Sequence, residues 1–337
     1  MKHQKLLLAI SLLPFILLSG CTKDKNEPMP QSTVSRLYVS NADTDAAVAN
    51  TLIFDPADKS TLGEPYSFNS QLPDANGILF DPFSGTVFQV SRKNKNVRTF
   101  TVKTDGTLAN KNSFIDEGLT SARGMAFDRT RNTLYIASSA DSAIYVYNDA
   151  LTLTGSVTAA KKLKLNGEPW GICLDNDRLF VVIDQGRAEV QLIEGASSLA
   201  AGTVGPTKKI TVSGAIRLHG VRYSETRDAL ILTDIGESTA AGFNSDGAFY
   251  IIEGANVRFT EQGTAVSPGR TIKGATTGMG NPVDVVWDDR EDKNLIYIAE
   301  KANRTILVFK FSNNGNVAPL IKRSLNSSPE ALYLDAR

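Results

Sequence analysis

Cysteine is almost missing from this chain: among 337 residues there are two, Cys21 and Cys173. Once Cys21 is assigned to a leader junction, as argued below, no internal disulfide can form in the remainder, even in a compartment that would permit one. Histidine is equally scarce, and His219 is the one histidine beyond the leader, so any catalytic triad would have to be built on it. Neither sign of charge is in excess, with 36 basic and 36 acidic side chains. Loss of residues 1 to 20 would remove Lys2 and Lys5 and leave a net charge of about −2, which gives no footprint for nucleic acid. No G-x-S-x-G elbow, phosphate loop or dinucleotide fingerprint occurs. Biased tracts are also missing, and 42% hydrophobic residues suit a large globular unit.

One apolar run stands out, Leu6 to Leu18 in "MKHQKLLLAISLLPFILLSGC". It follows a short cationic start and ends in small residues, the pattern of a secretion signal over residues 1–20. It is too short for a comfortable membrane span, which needs about 20 apolar residues. Leu18, Ser19, Gly20 and Cys21 resemble the lipobox of bacterial lipoproteins, which implies cleavage before Cys21 and diacylation (palmitate-type lipidation) of that residue. Two acyl chains make a stable anchor where one is marginal. Thr22 follows the cysteine in place of the Asp of an inner-membrane retention signal, so the expected position is the outer membrane of a Gram-negative cell envelope. Residues 21–35 then read as a flexible tether, polar and proline-bearing. Cys173, in "GICLD", reads as an inert core thiol.

Beyond the tether the chain repeats itself. "GILFD" at Gly77, "GMAFD" at Gly124, "GICLD" at Gly171, "GVRYS" at Gly220, "DVVWD" at Asp284 and "ALYLD" at Ala331 share one shape, at spacings of 47, 47, 49, 64 and 47 residues. Each of the first five is followed by a second and third short strand rich in Val, Ile, Leu, Tyr and Phe, and by a weaker fourth such as "KKLKL" or "KKITV". Four strands per 47 or so residues is the period of a β-propeller blade. The predicted fold is therefore all-β, with four-stranded antiparallel blades and next to no helix.

The last unit has a first strand only, in "NSSPEALYLDAR", and its missing strands are found at the other end as "RLYVSN", "NTLIFD" and "EPYSFN". Joining Arg337 to Arg36 restores the repeat and closes six blades over residues 36–337, as a monomeric ring without long exposed sheet edges. This shared blade is numbered 1, and the unit at Gly77 is blade 2. The recurring Asp81, Asp128, Asp175, Asp288 and Asp335 stand where each first strand enters its turn, where a carboxylate accepts backbone N–H bonds.

The pattern of small residue, apolar strand, Asp, polar turn and "LYIA" or "LFVV" resembles the six-bladed superfamily of NHL-repeat, YWTD-type and senescence-marker/gluconolactonase-like propellers. Trp287-Asp288 occurs once, so the tryptophan-aspartate repeat pattern is not present. The superfamily includes scaffolds, receptors and hydrolases, so the resemblance implies architecture more than activity.

Propellers bind at one mouth of the channel, and register across the blades places Asp74 with Asn76, Arg123, Glu168 with Trp170, Arg217 with His219, Asn281, and Glu330 before the innermost strands. The second strands end at Asn41, Ser91, Ser138, Asp184, Asp234 and Glu300, which makes blades 4 to 6 the acidic side. Glu168, Asp184 and Asp234, with His219 and Glu300, form the candidate set for Ca²⁺ or another divalent metal. Arg123 and Arg217 at the same mouth would oppose a cation and favour a carboxylate or phosphate. The long blade-five loop, residues 234–247, offers further oxygens and room for partner contacts.

Two function classes follow. One is a lipid-anchored binding or scaffold module that holds a protein, glycan or small anionic ligand through the mouth and the blade-five loops. The other is implied by the gluconolactonase resemblance: a metal-dependent lactone or ester hydrolase, with "ANGILFD" at Asn76 and with Glu168, Asn281 and Asp234 as its ligand set. The family's Glu near the start of the domain has no counterpart here, and binding is the expected role.

Overall fold

The computed structural model describes residues 33–239 and 244–337. The leader, the expected lipidation at Cys21 and most of the tether lie outside the described residues, as do 240–243 of the blade-five loop. The rest is an all-β propeller of six sheets, with three short 3₁₀ turns as its helical content among the described residues.

Ring closure is made by the two chain ends. The C-terminal strand Pro329–Ala336 pairs antiparallel with Ser35–Asn41, in a register that runs from Ser35 opposite Ala336, through Tyr38 opposite Tyr333, to Ser40 opposite Ala331. Reciprocal backbone bonds between Val34 and Arg337, of 2.7 and 2.9 Å, extend the ladder to the last residue. Thr51–Phe54 and Tyr66–Phe68 complete blade 1.

Three blades gain a fifth strand that the repeat pattern did not contain. Gly155–Ser156, Gly202–Thr203 and Thr264–Val266, each from the connection between the third and fourth strands of one blade, pair parallel with the outer strand of the preceding blade. These additions cover edges that would otherwise present unpaired N–H and C=O groups.

The core is divided as the ring requires. Six clusters of buried apolar side chains lie one between each pair of consecutive blades. Strand alternation explains the division, because neighbouring residues point to opposite faces of a sheet. Ile78 packs toward blade 1 and Leu79 toward blade 3. Cys173 is buried at the interface of blades 4 and 5, among Val182, Val221 and Leu232, as a core thiol.

The repeated carboxylates are turn acceptors. Asp81 accepts the Ser84 N–H at 3.0 Å, Asp128 that of Arg131 at 3.2 Å and Asp288 that of Arg290 at 3.4 Å. Asp175 and Asp335 are held by the side chains of Arg178 and Arg337.

One irregularity, repeated six times, positions the site. Near the start of every innermost strand, two residues face one on the second strand: Asn76 and Gly77 against Val90, for example, or His219 and Gly220 against Thr233. The same shift occurs in the other four blades. Such a bulge re-aims a side chain. Its second residue must clear the next blade: a Cβ on Gly171 would lie 2.2 Å from the carbonyl oxygen of His219, and one on Gly77 2.6 Å from that of Arg123. Glycine at these places lets adjacent innermost strands approach closely.

Candidate functional site at the channel mouth

The first residue of each bulge forms an inner tier around the mouth: Asn76, Arg123, Trp170, His219, Val283 and Glu330 in blades 2 to 6 and 1. Two residues earlier comes an outer tier that contains Asp74, Glu168, Arg217 and Asn281. Sequence register therefore found five of the six inner positions. In blade 6 it stopped at Asn281, an outer-tier residue, while the inner place belongs to Val283, which packs into the cluster between blades 6 and 1. A valine carries no polar signal, so nothing marked it.

Three inner-tier side chains form a stack across three blades. The Arg123 guanidinium lies 3.6 Å from the Trp170 ring centroid, and the His219 ring is 3.9 Å from it at an interplanar angle of 18°. Arg123 and His219 come from opposite neighbours of blade 4, so the indole lies between them. Arg123 also donates to Ser139 Oγ and to Asn76 Oδ1, each at 3.1 Å, and its Nη1 is 3.9 Å from Glu330 Oε1. Burial pulls the guanidinium down to about 10, against the attraction of Glu330.

His219 is 3% exposed, and neither of its nitrogens has a hydrogen-bond partner among the described residues. Its Nε2 is 3.4 Å from Asp184 Oδ2, an electrostatic contact without hydrogen-bond geometry. Burial lowers its affinity for a proton, so the imidazole is neutral at physiological pH.

The carboxylates have occupied oxygens. Asp184 receives a bidentate clamp from Arg217, with Nε at 3.0 Å and Nη2 at 2.7 Å. Burial alone would raise its pKa, but His219 and Arg217 outweigh that and hold it far below the usual carboxylate range. Asp234 accepts the N–H groups of Ile216, Arg217 and Gly236 and the Tyr250 hydroxyl, between 2.8 and 3.0 Å. Glu300 accepts the amides of Gly280, Asn281 and Asn303. Glu168 accepts the Gln185 amide, Asp74 is paired with Arg92 at 2.6 Å, and Glu330 with Lys301. Burial opposes ionisation of Glu330, yet Lys301, Arg123 and His219 keep its pKa below the ordinary value.

These donors do not fit a divalent cation. Asp184 and Asp234 spend both oxygens on different partners and Glu168 gives one to Gln185, and no group of three or more His, Cys, Asp or Glu among the described residues could hold a metal ion. The second-strand acids instead brace the loops that deliver the ring: Asp234 ties down residues 216–217 ahead of His219, and Glu300 ties down residues 280–281 ahead of Val283. In the blade-five loop, Asp246 accepts the Glu237 N–H at 2.8 Å.

Below the ring a cavity of about 210 Å³ follows the channel axis. Its wall includes three polar residues that the sequence reading passed over: Arg222, Asp284 and Tyr333. The signal for two of them was a break in the repeat. Asp284 stands where four other blades have glycine, and Arg222 where the others have Leu79, Ala126, Cys173, Val286 and Tyr333.

No protein-family model matches the chain, and no curated protein matches it in sequence. Solved structures are similar in fold. A nidogen/laminin complex shares a TM-score of 0.57 at 12% identity, over 89% of this chain and 98% of that one. A putative 6-phosphogluconolactonase from Bacteroides fragilis shares 0.58 at 10% identity, over 91% and 99%. A periplasmic gluconolactonase from Pseudomonas aeruginosa shares 0.57 at 10%, over 89% and 99%. At such identities the likeness is one of architecture, and by that architecture the chain is a six-bladed β-propeller closed by its two termini.

Proposed function

We propose that this chain is a lipid-anchored binding propeller of the cell envelope, tethered through Cys21 and presenting its channel mouth and blade-five loops to a protein, glycan or small anionic ligand. One observation carries the reading: the charged groups of the mouth are engaged by one another or by backbone amides, while the His219 nitrogens are left without hydrogen bonds. Asp184 is clamped by Arg217, Asp234 and Glu300 are bound by amides, and Trp170 is held between Arg123 and His219. A surface of this kind is rigid and pre-organised, which lowers the ordering cost of recognition. It offers aromatic and arginine side chains, the residue types that dominate binding energy at interfaces.

A hydrolase is the second reading. It is supported by the two gluconolactonase-named fold neighbours and by a neutral imidazole beside a carboxylate, the pairing that general-base chemistry uses. The burial of His219 inside the stack weighs against it.

The binding role is tested by probing envelope glycans and peptides with the purified full-length chain and with Arg217→Glu. The expected result is loss of bound ligand in Arg217→Glu and retention in Phe83→Ala, a change at the opposite end of the channel. Binding indifferent to Arg217→Glu would contradict it. The anchor is tested separately, since Cys21→Ala should free the protein from membranes, and undiminished membrane retention would overturn lipidation.

A further inference from the structure

Arg222 is an arginine in the wall of the central cavity that forms no hydrogen bond or ion pair among the described residues. The other cations of that wall are engaged. Arg123 is held by Asn76, Ser139 and Glu330, and Arg129 by Asp81 at 2.7 Å. The nearby acid Asp284 attracts it electrostatically without forming an ion pair, and its two oxygens accept the backbone N–H groups of Val285 and Leu332, both at 2.8 Å. Burial pushes this carboxyl up to about 7, so it carries only part of a charge at neutral pH. Arg222 and Tyr333 interact electrostatically across the same cavity, and the Tyr333 hydroxyl also lacks a hydrogen-bond partner among the described residues.

Arg222 is half-buried, so its guanidinium is partly withdrawn from bulk water, and its planar fork matches a carboxylate in bidentate fashion. The cavity, at about 210 Å³, has room for a two-carbon acid with accompanying water, each water claiming about 30 Å³. Charge selects the ligand further. Glu330 and Asp284 border the same space, so a dianion such as phosphate would meet more repulsion than a monoanion.

We propose that the channel beneath the mouth binds a small monocarboxylate, with Arg222 as its bidentate partner and Tyr333 as a hydroxyl donor. This site lies inside the ring, beneath the mouth, whose inner-tier Asn76, Arg123, Trp170 and Glu330 form part of its wall.

The test is a titration of the purified full-length chain with acetate at constant ionic strength, read by thermal shift and by broadening of the acetate NMR signal. A saturable rise in melting temperature is expected, with at least tenfold weaker apparent affinity in Arg222→Lys and no saturable response in Arg222→Gln. Arg270→Gln, on the outer strand of blade 5 and away from the cavity, should respond like the wild type. No saturable response in the wild type, an equal response to chloride or sulfate, or an undiminished response in Arg222→Lys would overturn the site. If Arg222→Gln does not fold, the Lys variant and the wild-type NMR titration decide. Arg217→Glu should leave the acetate titration intact, so failure here and failure of the mouth as a binding surface are separable.

Discussion

The guanidinium of Arg123 lies 3.6 Å from the centroid of the Trp170 ring, although the two residues belong to different blades and neither strand pairs with the other. The contact exists because every innermost strand bulges at the same place, so that side chains from neighbouring blades, such as Arg123 and Trp170, are brought together at the mouth. Rigidity at the mouth is therefore a property of the ring and not of any one loop.

Removing the middle of the stack should loosen both neighbours. Trp170→Ala is expected to lower unfolding free energy by about 2 kcal/mol or more, with Trp170→Phe recovering part of it, since stacking and cation–π contacts contribute beyond area alone. Urea unfolding of the variants measures this. A Trp170→Ala protein of unchanged stability would show that the stack is incidental.

His219 sets an acid-side slope. Its folded-state affinity for protons is depressed by burial below the ordinary value of 6.5, so the unfolded chain binds the extra proton. The stability it protects is present above pH 6.5 and is lost as pH falls below it. His219→Gln should lose less stability than the wild type between about pH 7.5 and 5.5. Equal slopes in the two proteins would contradict a buried neutral imidazole.

Asp284 works in the opposite direction. Burial raises its pKa from 3.8 to about 7, so the folded state retains a proton that the unfolded chain has released, and stability falls as pH rises from about 4 to 7. Asp284→Asn keeps an acceptor oxygen and removes the ionisation. The variant should gain on the wild type by more than about 1 kcal/mol across that window. A constant difference would mean that Asp284 titrates normally.

Closure is testable by truncation. Deleting residues 326–337 removes the innermost strand of blade 1 and opens an edge along Ser35–Asn41. The expected product is aggregated or lacks cooperative unfolding. Leu332→Ala, a milder lesion in the cluster between blades 6 and 1, should cost about 2–5 kcal/mol. A soluble, cooperatively folding truncation would refute the closure.

Much of this architecture was legible in the sequence because a repeat reports the same geometry six times. The 47-residue spacing, the orphan strand at Ala331 and the turn carboxylates all followed from comparing the chain with itself. Side-chain partners were not legible. Asp184, Asp234 and Glu300 looked like an acidic face, and only three-dimensional contacts reveal that one is clamped by Arg217 and the others by amides. The fifth strands were hidden for another reason: pairs such as Gly155–Ser156 are too short and too polar to carry a period-two pattern. Arg222 and Asp284 were visible as exceptions to the repeat, but an exception shows its meaning only when the channel is seen around it.

The most direct measurement is metal and lactone dependence in one preparation. Purified chain is stripped with chelator, supplied with Ca²⁺ or Zn²⁺, and followed for thermal stability and lactone hydrolysis. A cation bound at 100 times its Kd would add about 2.7 kcal/mol of stability. With the mouth carboxylates committed to Arg217 and to backbone amides, the expected result is no metal-dependent shift and no turnover. A strong shift accompanied by turnover that disappears in Glu168→Gln would contradict the binding role and establish a hydrolase.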